Sequence, residues 1–557
     1  MLSMTFLSFL FFTGLVIVLT WWFTRGSDLN TDEGYFLAGR SLTGIFIAGS
    51  LLLTNLSTEQ LIGLNGGSFK EGLSVMCWEV IAGMSLVVLA LVFLPRYLKS
   101  GIATIPQFLE ERYGSSVRAL TAGIFIVAYM LILLPFVLFL GARGLNGMLN
   151  LQELIGFKDE LSAIWGVIIF IAILGGGYAI WGGMRAIAVS DTFNGAGLLI
   201  GGLMITFFSL QVIAADDGGF TEAFEKIKAK DADAFNSLGT DDEDAHWPTL
   251  FTGVLLLNFF YWCTNQQIIQ RTFGAKNLAE GQKGVLLAAF FKILAPLILV
   301  LPGIIAAYFV IGISDPEMVQ AVGKNGEGKW IADRAYGSLV SKVLPSWLLG
   351  FFAAVVVGSI LSTFNSVLNS AATLFSLDVF KKYLNPKAST RSVVRSGQIC
   401  SFVVAIFAVI AAPQIFYGQE AIFGYFQKLN AVYFIPLLAI IMVGMFHRFA
   451  DGKSAIITLL IGLGLMVTGT FFTGEDKDNN IDGWLSDFFV SPYHYMGAVF
   501  ALLIVLQLSM SAMGMKRSEP YVQEDKGLVD LTPWKPAPFV GGALILLVLG
   551  IYAVFAG

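Results

Sequence analysis

Six of the seven residues at positions 54–60, Thr-Asn-Leu-Ser-Thr-Glu-Gln, are polar, and apolar runs flank them on both sides. Each unsatisfied polar group costs several kcal/mol in hydrocarbon. Such a cluster at membrane depth therefore lines a cavity, binds something, or is bonded to neighbouring helices. A helix broken there would release backbone carbonyls for a cation and side chains for a polar solute. Farther along, Ser359, Ser362, Thr363 and Ser366 are spaced i, i+3, i+4 and i+7, one face of a helix. Hydroxyl and carbonyl oxygens suit a hard, small cation such as Na⁺, and a neutral set would hold a monovalent ion weakly enough to release it. Close helix packing through small residues is the other meaning of that stripe.

Few ionisable residues fall inside apolar segments: Glu79, Asp191, Lys292 and Lys428, with Glu59 at the polar interruption. Each is a functional candidate by its cost alone. Glu79 and Lys292 could neutralise one another while offering an acceptor and three donors, and Gln60, Asn258 and Gln427 add amides that do both. That mixture suits the hydroxyls of a polyol, although a purely structural ion pair uses the same residues. Trp78, Tyr261 and Trp262 could cover the apolar faces of a sugar ring or serve only as packing. The three histidines, His246, His447 and His494, lie in loops or at segment ends away from this polar centre. With no nucleophile–base or metal-ligand set, a membrane enzyme is disfavoured.

The elements that must position these residues follow from composition. The chain has 557 residues, 56% hydrophobic and 13% charged, and its mean hydropathy of +0.75 marks a polytopic membrane protein. A net charge of −5 spread over loops, with no basic cluster, argues against nucleic acid as a partner. Cys77, Cys263 and Cys400 are far apart in apolar segments, so neither a disulfide framework nor a CxxC metal site is expected.

Hydropathy and breaker residues give fourteen spans: 3–24, 42–64, 73–95, 118–147, 161–181, 185–214, 249–270, 281–312, 343–376, 393–413, 420–447, 453–473, 491–513 and 537–556. The first has no basic region before it and reads as a retained helix rather than a signal peptide. Of 34 Lys and Arg, 21 fall in the loops that would be inside if the N-terminus is outside and 11 in the opposite loops, which places both termini outside. The outside loops carry acidic runs such as Asp241-Asp242-Glu243-Asp244, read as solvated loop. A second polar interruption, with Asn258, Thr264, Asn265, Gln266, Gln267 and Gln270, lies five spans after the first. Two five-helix units of opposite orientation, each beginning with a broken helix, is the arrangement of an inverted-repeat transporter with its site between the repeats.

At these residues the chain resembles the solute:sodium symporter family, and within it the bacterial sodium/galactose symporters of the sodium–glucose cotransporter type. The matching stretches are GYFLAGRSL (34–42), NLSTEQLIG (55–63), TIPQFLEERYG (104–114), YAIWGGMRAIAVSD (178–191), FYWCTNQQIIQRT (260–272), EGQKGVLLAAFFKILAP (280–296) and LSTFNSVLNSAAT (361–373). The resemblance implies an all-α polytopic membrane protein with a LeuT-like five-plus-five inverted-repeat core and extra flanking helices. The whole chain, 1–557, would be one transporter domain: 3–24 an extra N-terminal helix, 42–214 the first repeat, 249–447 the inverted second repeat, and 453–556 three extra helices. It implies Na⁺ held by the backbone carbonyls of Leu53, Leu56 and Ser359 and the hydroxyls of Ser362 and Thr363, with Asp191 near the ion's exit. It also implies solute contacts from Gln60, Glu79, Asn258, Lys292 and Gln427, with Trp78 where the galactose pattern has a tyrosine. Tyr261, backed by Trp262, would be the gate, and Asn55 would link the broken helix to it.

Departures bear on the solute. Ala82 stands where the galactose pattern has a contacting serine, so another hexose, an epimer or a related polyol is possible. Lys428 replaces an acidic residue. Asn365 and Ser366 match a second sodium site only in part, so one Na⁺ per cycle is expected. The function implied is a sodium-coupled monosaccharide importer of the bacterial inner membrane. The rivals are a symporter for inositol, an amino acid or a carboxylate on the same scaffold, and a sugar sensor or channel that does not accumulate solute.

Overall fold

The computed structural model describes residues 2–26, 31–149, 151–152, 156–214, 219–240, 243, 246–419, 422–472 and 491–556. Asp241, Asp242 and Asp244 of the acidic run at 241–244 lie outside the described residues. Among the described residues there are helices and three isolated β-bridges but no strand. Ten helices are long and apolar enough to cross a membrane, and Leu278–Leu294 with Pro296–Gly312, bent by 45°, makes an eleventh crossing if it is one span. The remaining three of the fourteen expected spans fail that test for a physical reason. Spans 42–64 and 249–270 are each broken into shorter pieces, and 161–181 is represented by the short apolar helix Glu160–Gly176.

Ten helices position the polar residues: α1 (Leu2–Thr24), α2 (Gly44–Asn55), α3 (Thr58–Glu71), α4 (Cys77–Val88), α5 (Glu160–Ala214), α6 (Gly253–Cys263), α7 (Gln266–Phe273), α8 (Leu278–Leu294), α9 (Ser346–Thr373) and α10 (Ile422–Phe446). The first expected break falls between α2 and α3, where Leu56 (φ −73°, ψ 64°) and Ser57 (φ −111°, ψ −176°) leave the helical region. The second falls between α6 and α7 at Thr264 (φ −139°, ψ −14°) and Asn265 (φ −70°, ψ 123°). Serine and asparagine favour such N-cap positions because they can satisfy local backbone groups, and the Asn265 side chain accepts from the Gln267 amide. Helix α5 kinks at Gly183, whose φ of 61° with ψ of −179° is open to glycine at little cost.

Helix α9 packs along α5 and α1 and touches both α2 and α3. Helix α7 touches α2 and α9; α6 packs against α4 and α10; α8 packs against α2 and α4. Both breaks are thereby brought to the middle of the bundle. Close approach depends on glycine: a Cβ on Gly49 would lie 2.5–2.8 Å from Thr192, so α2 and α5 meet at near-backbone distance. Pro302 has no amide hydrogen for the Ile298 carbonyl four residues earlier, and Asn65 of α3 donates to that carbonyl instead at 3.3 Å.

Candidate solute and cation sites

The solute residues arrive from four helices. Gln60 stands in the first turn of α3, Trp78 and Glu79 in α4, Asn258, Tyr261 and Trp262 in α6, and Gln427 in α10. With Asn55 they line one cavity of about 40 Å³, closed further by Leu257, Phe423, Phe426, Asn430 and Phe434. That volume holds about three waters and not a hexose, so the cavity must widen to bind one. Asn258 donates to the Val254 carbonyl at 3.0 Å, and Asn430 donates to Gln427 at 3.4 Å.

Lys292 departs from expectation. Its ammonium is fully buried, bonded to Glu79 and to the Asn55 side-chain oxygen, and lies 5.4 Å from the centre of the Trp262 ring. It is not on the cavity wall. Its partners draw it behind Glu79, so it holds the carboxylate in place rather than facing the cavity. Lys428 is half-buried and is also off the wall. Ala82 is buried, and it too lies off the wall.

Phe423, Phe426, Asn430 and Phe434 are wall residues that the sequence reading misses. They share one face of α10 with Gln427 at three- and four-residue spacing, which is the signal that could have found them. Phe423 packs edge-on to Trp78 at 5.5 Å, and Phe434 stacks on Phe260 at 4.1 Å.

At the α2–α3 break the backbone bonding is rerouted. A continuous helix would send the Ser57 amide to Leu53 and the Gln60 amide to Leu56. Instead Ser57 bonds Asn55 (2.8 Å) and Gln60 bonds Ser57 (3.0 Å). The Leu53 and Leu56 carbonyls are thus released from helical pairing. Across from them on α9, Thr363 donates to the Thr54 carbonyl at 3.2 Å, Ser362 donates to Asp191, and Ser359 lies 3.1 Å from the Thr58 hydroxyl. Asp191 also accepts from Ser50 at 2.7 Å. A hydroxyl that gives its hydrogen to a carboxylate or carbonyl presents only lone pairs elsewhere, the state a cation ligand needs. Asn365 and Ser366 do not converge: Asn365 lies against Gly175 of α5, and Ser366 against the Thr54 hydroxyl at 3.4 Å.

Two further cavities continue from the solute cavity to the surface. One of about 60 Å³ shares Trp78 and Phe423 with it; the next, about 320 Å³, shares Lys70, Ala332 and Asp333 with the second. Of these three the surface chamber is the widest, while the sequence's polar centre converges on the narrowest. At the mouth Arg143 pairs with Asp333 (3.3 Å) and Arg334 with Glu160 (2.9 Å). Burial pushes the Asp333 carboxyl up, and the Arg143 guanidinium opposes this.

Two discontinuous helices whose breaks meet in mid-bundle, beside released carbonyls and a polar cavity, define a secondary transporter with a five-plus-five inverted-repeat core. Solved structures share that fold. A substrate-bound, outward-open Na⁺-coupled sialic acid symporter aligns with a TM-score of 0.73 at 17% identity, covering 93% of this chain and 99% of that one. A nucleobase–cation symporter in a closed conformation aligns with a TM-score of 0.53 at 14% identity, covering 86% and 94%.

The chain belongs to the Sodium:solute symporter family, matched over residues 35–462. It is 40% identical to the uncharacterized symporter YidK of Escherichia coli over all of this chain and 91% of that protein. It is 31% identical to the sodium/glucose cotransporter of Vibrio parahaemolyticus (82% and 83% covered), and 29% identical to the pig sodium/myo-inositol cotransporter 2 (80% and 67%). It is thus a multi-pass membrane protein and a Na⁺-coupled symporter of a small solute.

Proposed function

We propose that the chain imports a monosaccharide, a hexose such as galactose, glucose or mannose, together with one Na⁺. One observation carries this reading: the Glu79–Lys292 pair beside the polar cavity is bonded to Asn55, the last residue before the break that releases Leu53 and Leu56. Solute chemistry and cation chemistry therefore meet at one residue. In this reading Na⁺ is held by the carbonyls of Leu53, Leu56 and Ser359 and the hydroxyls of Ser362 and Thr363. It ties α2 and α3 to α9 and fixes Gln60, three residues past the break, for the solute. Gln60, Glu79, Asn258 and Gln427 take sugar hydroxyls, Lys292 steadies Glu79, and Trp78, Tyr261 and Trp262 cover the ring.

Solute binding then permits closure, Tyr261 and Trp262 yield, and Na⁺ leaves past Asp191 toward the inside. Inward movement of one positive charge gains about 2.3 kcal/mol per 100 mV, before any sodium gradient is added. Residues 42–214 and 249–447 are the two repeats, the termini are outside, and the membrane is the bacterial inner membrane.

A related polyol such as inositol is the second reading, favoured by the similarity to the myo-inositol cotransporter. A carboxylate is less well served, because the charge of Lys292 is already matched by Glu79. The test is uptake by proteoliposomes of galactose, glucose, mannose, fucose, inositol and proline, with an inward Na⁺ gradient or K⁺ in its place. Accumulation of one sugar only with Na⁺ supports the reading. Uptake of proline or inositol alone retains the cation site and discards the hexose assignment.

A further inference from the structure

The run Asn-Gln-Gln-Ile-Ile-Gln-Arg-Thr at 265–272 carries an arginine that neither the solute cavity nor the proposed cation ligands use. Arg271 is fully buried. Its Nε donates to the Thr54 hydroxyl at 2.9 Å, its Nη1 to the Gln267 carbonyl, and its Nη2 has no hydrogen-bond partner. No carboxylate forms an ion pair with it among the described residues. A buried guanidinium without a paired anion is costly, so its charge is retained against a penalty.

The half-helix that carries it is clamped. Gln266 accepts from the Ile105 amide at 2.8 Å, and Gln270 donates to Thr373 at 2.8 Å and to the Phe36 carbonyl at 2.9 Å. The charge is therefore fixed in place.

Thr54 is what this fixed charge touches. Its hydroxyl receives Arg271, its carbonyl receives Thr363, and it follows Leu53 directly. On the other flank, Asp191 holds Ser362. A proposed cation ligand, Ser362, is thus bonded to a carboxylate, and the residue that follows Leu53 is bonded to a guanidinium.

We infer that Arg271 sets the sodium affinity of this symporter: it balances Asp191 while the site is empty, and opposes the ion once bound so that Na⁺ is released. The inference rests on the cation ligands proposed above. An ion held by several oxygens beside an unopposed aspartate would leave slowly, and a fixed positive charge nearby lowers that affinity.

The experiment is equilibrium ²²Na⁺ binding to the purified full-length chain, with Na⁺-driven uptake measured in parallel. Arg271→Gln should bind Na⁺ about tenfold more tightly, or more, and should transport more slowly. A merely structural role would weaken binding in Arg271→Gln instead, so unchanged or weaker binding overturns the inference. If that variant does not fold, Arg271→Met, which removes the charge and keeps a long unbranched side chain, decides: tighter Na⁺ binding upholds the inference, and its absence overturns it. Thr363→Ala separates the two readings. Lost Na⁺ binding there, with no tightening in Arg271→Gln, sinks this inference alone, whereas unchanged binding in Thr363→Ala sinks the cation site itself.

Discussion

Lys292 donates to the side-chain oxygen of Asn55 across 237 positions of sequence. The bond joins α8, which supports the solute carboxylate, to the last residue of α2, where the helix opens. Tyr261 reaches the same asparagine. Anything that orders the α2–α3 break therefore also orders the acceptor for Lys292 and the contact of the gate. Asn55→Ala should weaken solute binding measured in saturating Na⁺ while leaving Na⁺ binding nearly unchanged. Loss of a buried, charge-assisted hydrogen bond costs about 1.5–3 kcal/mol, roughly ten- to hundredfold in solute affinity. The ratio of solute affinities with and without Na⁺ should shrink in the variant; a preserved ratio would show that coupling does not pass through Asn55.

The cation side is tested by hydroxyl removal. Thr363→Ala and Ser362→Ala should each raise the Na⁺ concentration for half-maximal uptake, by about tenfold or more, and Thr363→Ser should restore most of the loss because the oxygen remains. Asp191→Asn leaves an oxygen for Ser362 but removes the charge that directs its hydrogen. Disturbing such an outer partner typically costs about 10–100-fold in ion affinity. Flux at varied Na⁺ gives all four values. An Asp191→Asn variant with normal Na⁺ dependence would remove the orienting role assigned to this carboxylate.

The buried pair separates folding from function. Glu79→Gln alone leaves the Lys292 charge without its carboxylate, a loss of about 3–5 kcal/mol when one partner of a buried pair is removed. Replacing both, Glu79→Gln with Lys292→Met, should recover much of the thermal stability of the detergent-solubilised protein and none of the uptake. If the double variant melts no higher than the single one, the pair is not what Glu79→Gln disrupts.

Both helix breaks are legible in the sequence, because polar residues clustered inside an apolar run are too costly in hydrocarbon to stand without a cavity, a ligand or a bonded neighbour. The carbonyls of Leu53 and Leu56 come with the family resemblance; the rerouted amides of Ser57 and Gln60 supply their physical reason. The number of crossings is less legible, since short half-helices and a kink at Gly183 do not present as single spans. Sequence can pair Glu79 with Lys292 by charge but cannot say which of the two faces the cavity. That depends on Asn55 and Trp262, residues remote in the chain that close around the ammonium. The aromatic face of α10 escapes because Phe423, Phe426 and Phe434 look the same whether they line a cavity or fill a core. The Asn65–Ile298 bond, 233 positions apart, leaves no local pattern at all.

That bond leads to a prediction about packing. Asn65 reaches the Ile298 carbonyl only because Gly303 lets the helix Leu301–Ala307 lie against α3, where Ser68 also donates to Val300 at 2.8 Å. A Cβ at position 303 would fall 2.1 Å from the Ser68 hydroxyl and 2.2 Å from the Asn65 carbonyl oxygen. The hydroxyl can rotate away, but the backbone oxygen cannot without moving α3. Gly303→Ala should therefore destabilise the protein by about 1–3 kcal/mol, the range for forced overpacking. Because α3 carries Gln60, solute affinity should fall with it. Gly123→Ala is the control: its Cβ would meet nothing within 4 Å, and alanine favours a helix over glycine. Melting of the two solubilised variants decides. A Gly303→Ala protein as stable as Gly123→Ala would mean that α3 can shift freely against this helix, and that the position of Gln60 is not set by this contact.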